Sequence, residues 1–126
     1  MIQAPPRSTV VVLGASPNPE RYSYMAVQML AEHGFTALPV NPAKPSISGI
    51  RALASLSDIS ENVDTITLYV NASISESLLP EILKVKPRRV IFNPGAENQN
   101  LAESLRKEGI MVVEACTLVM LRTGQF

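Results

Sequence analysis

Thr9-Val10-Val11-Val12-Leu13-Gly14-Ala15-Ser16-Pro17-Asn18-Pro19 is the stretch from which the fold is read. Its β-branched run shows no polar alternation and stops at a glycine. Such a run fits a strand buried on both faces, the environment of a parallel sheet. The turn-rich residues after Gly14 lead into a helical pattern from Tyr22 to His33, with Met25, Ala26, Met29, Leu30 and Ala31 at three- and four-residue spacing. Gly34 ends it as a C-cap. Strand, glycine turn and helix make the opening of a βαβ unit.

Working outward, the same alternation repeats. Phe35 to Val40 is a second strand, stopped by Asn41-Pro42. Residues 43–62 read as a loop with one helical turn around Ser57 to Glu61. Thr65 to Val70 is a third strand, Arg89 to Phe92 a fourth and Ile110 to Val113 a fifth. Helices are expected over Ser75 to Lys86, Asn100 to Glu108 and Ala115 to Arg122. Pro80 predicts a late start or a kink in the first of these. Asn100 with Glu103 makes a weak capping box for the second. Residues 1–8 read as a loose tail, and residues 9–126 as one domain. The fold class is α/β, a three-layer, doubly wound parallel sheet of five strands.

Composition agrees with this and excludes several functions. The chain has 126 residues, 46% hydrophobic, with 11 basic and 11 acidic side chains. That length supports one core. The balanced charge argues against nucleic acid or an anionic membrane as partner. No apolar run reaches roughly 18 residues, so no span is expected. Met1 to Thr9 carries two prolines and an arginine and does not read as a secretory signal. One cysteine and one histidine argue against the usual metal sites, and the lone thiol fits a reducing cytoplasm.

In doubly wound sheets the ligand sits beyond the carboxyl ends of the strands. Gly14 to Pro19 is therefore the first loop to weigh. A glycine there lets the backbone approach an anion, and the next helix offers free N–H groups. An ordinary βα turn also favours glycine, and both readings stand. After the second strand a dinucleotide site wants an acid for the ribose hydroxyls. This chain has Asn41-Pro42-Ala43-Lys44 instead. Lys44 suits a ribose that carries a phosphate, or is a solvated loop lysine.

Catalytic candidates are few. His33 precedes a helix cap, where an imidazole interacts with the dipole. Cys116 follows the last strand, on the ligand side, and reads as a packed thiol or a nucleophile at a helix start. Glu97 and Glu114 lie near sheet ends without a readable separation. Tyr22 and Tyr24 flank the first loop. Lys84, Lys86, Arg88 and Arg89 form a small basic cluster that reads as a solvated turn.

The run Val12 to Ser23, with Pro39-Val40-Asn41-Pro42, Gly49 and Val113-Glu114-Ala115-Cys116, resembles the small stand-alone CoA-binding proteins. It is similar also to the N-terminal, CoA-binding part of the succinyl-CoA synthetase α subunit. The resemblance covers about residues 9 to 121. It implies a Rossmann-like domain holding coenzyme A or an acyl-CoA. Gly14, Ala15 and Ser16 would match the pyrophosphate loop, with Asn18 and Ser23 at its rim. Asn41, Pro42 and Lys44 would match the adenosine and 3′-phosphate end. Val70, Asn71 and Ala72 would follow the third strand along the adenine or ribose wall, where many members carry a basic or aromatic-rich segment in place of Asn71-Ala72-Ser73. Asn93, Pro94 and Gly95 would border the pantetheine path. Here the chain departs from many members, which carry a Gln-Leu-Gly-type turn. The resemblance implies non-catalytic binding, with a homodimer or a separate acyl-CoA enzyme as the partner. Two other readings stand beside it: an NADP- or other nucleotide-binding protein, and an interaction module that has lost the ligand.

Overall fold

The computed structural model of this chain describes residues 3–126. β1 (Thr9–Leu13) pairs in parallel with β2 (Thr36–Val40) on one side and with β5 (Thr65–Leu68) on the other. Beyond β5 follow β6 (Arg89–Phe92) and β7 (Met111–Glu114), giving the order β2-β1-β5-β6-β7, all parallel. The chain steps outward from β1 to β2, then crosses back to β5 and winds the other way. The winding direction therefore reverses between β1 and β5, and the crevice at their carboxyl ends is the expected ligand position.

The apolar run of β1 is divided between two cores, as its two-residue period requires. Val10 and Val12 pack with Val27 and Leu30 of α1 (Tyr22–Glu32) and with Met120 and Leu121 of α5 (Thr117–Arg122). Val11 and Leu13 face the other side, against Ile82 of α3 (Leu79–Val85) and Leu101 and Leu105 of α4 (Gln99–Lys107). Both faces are thus covered, and the strand is buried throughout from Val10 to Leu13. Pro39 is tolerated in β2 because β2 is an edge strand.

Several local expectations are corrected. The loose tail over residues 1–8 lies partly outside the described residues, at positions 1 and 2. Its remainder is anchored: Ala4 is buried, and its N–H donates to the Phe126 carbonyl at 3.0 Å. Residues 43–62 contain a small antiparallel hairpin, β3 (Ser46–Ile47) with β4 (Ile50–Arg51), and a 3₁₀ turn at Leu56–Asp58 rather than at Ser57 to Glu61. The helix expected over Ser75 to Lys86 is two, α2 (Ala72–Ser77) and α3, which meet at Leu78. Pro80 sits in the first turn of α3, where its missing N–H costs nothing. Asn98, not Asn100, caps α4 by accepting from the Leu101 N–H at 3.0 Å.

The basic cluster before β6 is a solvated turn only in part: Lys84 and Lys86 are exposed, but Arg88 and Arg89 are not. Arg89 is fully buried. It donates to the Thr65 hydroxyl at 3.0 Å and the Phe126 carbonyl at 2.8 Å, and lies 4.5 Å from the Phe126 ring centre. Burial pushes its guanidinium down to about 10. Arg88 makes a two-pronged pair with Asp64, at 2.8 and 3.0 Å. Burial works against the Asp64 charge, but the Arg88 and Thr65 donors outweigh it and hold the carboxyl below its ordinary value.

Candidate functional site

Gly14 stands at the winding reversal. Its φ is +88°, and a Cβ added there would meet Val70 Cγ1 at 2.7 Å and the Tyr69 carbonyl carbon at 3.2 Å. Both the backbone conformation and the close approach of the two residues after β5 demand glycine. The loop after it is tied down by its own polar groups. The Ala15 N–H donates to the Val40 carbonyl at 3.2 Å, and the Asn41 side chain donates to the Ala15 carbonyl at 2.8 Å. The Ser16 N–H donates to the Ser23 hydroxyl at 3.0 Å, and the Asn18 N–H to the Ser16 hydroxyl at 3.1 Å. Asn18 Oδ1 accepts from the Glu20 N–H at 3.0 Å.

α1 begins immediately afterwards. Arg21, at its N-cap, supplies no side-chain acceptor. The first-turn N–H groups of Tyr22, Ser23 and Tyr24 are left without a side-chain cap, at the positive end of the helix dipole. Arg21, Tyr22 and Ser23 line a cavity of about 550 Å³, together with Gly14 and Ser16. Its opposite wall comes from the ends of other strands: Tyr69, Asn93, Pro94 and Cys116. Glu20 and Arg21 are its charged lining residues. A second cleft, about 390 Å³ and largely apolar, lies on the other side of Gly14. Leu13, Val40, Pro42, Val70 and Ile74 form much of its wall.

The residues singled out from sequence divide into two kinds. Gly14, Ser16, Ser23, Asn93 and Pro94 line the polar cavity, and Gly14, Pro42 and Val70 line the apolar cleft. The others lie outside both linings. Ala15 is buried under the loop. Asn41 Oδ1 accepts from the Ala43 and Lys44 N–H groups at 2.8 and 2.9 Å, so one carboxamide joins the first two loops. Asn71 caps α2. The Gly95 N–H donates to the Glu97 carboxylate at 2.8 Å. Lys44 is exposed and lines neither cavity.

Asn93 lines the cavity but spends its side chain on the protein. Its amide donates to the Thr67 hydroxyl at 2.6 Å and the Leu68 carbonyl at 2.9 Å, and its oxygen accepts from the Thr117 N–H at 2.9 Å. This knot joins β5, β6 and the start of α5. Tyr69 and Arg21 were not singled out in the sequence. Arg21 was visible there as a cation one residue before the expected helix. Tyr69 carried no signal. Its hydroxyl is enclosed beside Thr117 and Thr67, and burial pushes it up to about 12. His33 is at the opposite end of α1, with Nδ1 2.8 Å from the Met29 carbonyl. Among the described residues no group of three His, Cys, Asp or Glu side chains could hold a metal ion, and no helix is long and apolar enough to cross a membrane.

A family model described as a CoA binding domain matches residues 8–122. A solved structure of an uncharacterized protein is 44% identical, with a TM-score of 0.89 over 94% of this chain and 98% of that one. The uncharacterized protein YneT of Bacillus subtilis is 24% identical over 104 residues, 82% of this chain and 77% of that protein. The dinucleotide-forming acetyl-coenzyme A synthetase 1 of Ca. Korarchaeum cryptofilum, solved with phosphate and ADP, shares the fold at 20% identity. Its TM-score is 0.71, over 87% of this chain and 26% of that one.

Proposed function

The chain belongs to the CoA binding domain family, and on that premise we propose that residues 9–126 are one domain that holds coenzyme A or an acyl-CoA without transforming it. The observation that carries this reading is the meeting of two cavities of opposite character at Gly14. CoA likewise joins an apolar part to polar ones. A flat base suits the apolar cleft. A diphosphate suits Gly14, Ser16 and the open helix end, with Arg21 as its cation. A polar pantetheine arm suits the wall of Tyr69, Asn93, Pro94 and Cys116.

Lys44, two residues past Pro42, serves the 3′-phosphate where it leaves the cleft. Asn18, Asn41 and Asn71 act by holding the loops. The absence of transformation is supported by how the polar groups are spent. The sole imidazole is at the far end of α1, roughly 16 Å along an 11-residue helix. The Asn93 carboxamide is committed to three protein partners. The protein then buffers CoA in the cytoplasm or hands it to a separate enzyme, alone or as a homodimer.

The test is a thermal-shift panel of CoA, acetyl-CoA, NADP and NAD. A ligand at a hundred times its Kd stabilises by about 2.7 kcal/mol, near 10 °C for a chain of this size. CoA and acetyl-CoA shift the melt and the nicotinamide nucleotides leave it unchanged. A shift with NADP and none with CoA rejects the reading. Thiol release from acetyl-CoA stays at the buffer rate; release proportional to protein rejects the non-catalytic part. Lys44→Ala weakens CoA more than dephospho-CoA, and equal losses reject the 3′-phosphate role.

A further inference from the structure

We propose that Glu81 is the specificity-determining residue of the apolar cleft, accepting a hydrogen bond from the 6-amino group of the ligand's adenine. This rests on the reading above, in which the base occupies that cleft. The cleft walls are mostly hydrocarbon, from Leu13, Val40, Leu56, Val70, Ile74 and Leu78. Two polar side chains interrupt them, Ser55 and Glu81. The Ser55 hydroxyl is occupied within the 3₁₀ turn, accepting from the Ser57 N–H at 3.2 Å and lying 2.9 Å from the Ser57 hydroxyl. Glu81 is half-buried, and its carboxylate is in no hydrogen bond or ion pair with the described residues.

The position of Glu81 decides which part of the ligand it meets. Gly14, shared with the polar cavity, marks the diphosphate end of the cleft. Glu81 also lines an adjoining cavity of about 170 Å³ with Ser57, Ile59 and Lys84, a wall that Gly14 does not share. It therefore marks the end away from the phosphates. A base entering from the ribose side brings its amino edge there. An ionised carboxylate only accepts hydrogen bonds, so it favours an edge that carries a donor. A dinucleotide site carries its acid after β2, toward the ribose; here the acid stands on α3, toward the base.

The experiment is calorimetric titration of the full chain with CoA and with the CoA analogue whose base is unsubstituted purine, lacking the amino group. The wild type binds CoA about tenfold more tightly, the value of one hydrogen bond to a charged acceptor. Glu81→Leu brings the two ligands within about twofold while binding of the purine analogue persists. Glu81→Gln, which keeps an acceptor without the charge, gives an intermediate ratio and covers the case in which the leucine variant does not fold. Equal affinities on the wild type overturn the proposal, as does a tenfold preference that survives both substitutions. In either event CoA still binds and the functional reading is untouched. No heat with CoA on the wild type overturns both.

Discussion

Gly14→Ala is the substitution that examines the site most directly. The native φ of +88° places an alanine in a conformation L residues avoid, at about 1–2 kcal/mol. The new methyl would also lie 2.7 Å from Val70 Cγ1 and 3.2 Å from the Tyr69 carbonyl carbon, inside contact distance. Relieving that overlap moves β5 or the loop, which for an overpacked position costs about 1–3 kcal/mol. The sum is about 2–5 kcal/mol, near 10 °C or more in Tm. Urea unfolding at 25 °C, read by circular dichroism, measures it. The two causes separate in a second background. Val70→Ala removes the nearer overlap and leaves the backbone strain, so the cost of the glycine substitution falls by about half there. Calorimetry on the folded variants then reports CoA affinity, which drops because the displaced atoms sit between the two cavities. A loss below about 1 kcal/mol in the wild-type background refutes the steric argument. So does an unchanged loss in the Val70→Ala background.

Three further outcomes follow from the same geometry. Asn93→Ala lowers the stability of the ligand-free protein by about 2 kcal/mol, because the buried Thr117 N–H loses its side-chain acceptor while the Leu68 carbonyl keeps only the backbone N–H of residue 93; an unchanged ligand-free melt shows that Asn93 matters only through ligand. Arg21→Ala weakens CoA about tenfold and leaves the ligand-free melt in place, since the side chain is exposed; a matching loss of stability contradicts its placement. Asp64→Asn costs about 1 kcal/mol at neutral pH through the loss of the Arg88 pair. Folding lowers the Asp64 pKa below 3.8, so this stabilisation is complete above that value and is lost as the pH falls through the lower folded value. Urea midpoints of the wild type and Asp64→Asn therefore converge in acid, and a gap that widens there reverses the sign of the argument.

Much of the architecture is legible because it rests on local signals. The run from Thr9 to Leu13 needs apolar cover on both faces, and α1 with α5 and α3 with α4 supply it. Pro80 foretells the break at Leu78, since a residue without an N–H belongs in a first turn. The Asn100 cap fails for a physical reason: Asn98 and Asn100 are chemically alike, and only Asn98 is buried where it can also donate to Ser75 and the Ala72 carbonyl. The Arg88 and Arg89 reading fails because their partners are distant in the chain. Asp64 and Thr65 lie 24 residues before them and Phe126 lies 37 residues after Arg89. A charge run reads as solvent-facing until the fold brings such partners in.

By itself the sequence determined the alternation of strands and helices, and hence a doubly wound sheet with its loops of interest at one edge. Periodicity, glycine and proline act through neighbouring residues, and that information is local. The tertiary structure decided which side chains share a cavity. It set Tyr69 and Val70 against Gly14, turned Asn93 inward to three partners, and placed Glu81 of α3 in the cleft wall with Val40 and Pro42. Those juxtapositions join residues tens of positions apart, and only chain packing brings them together.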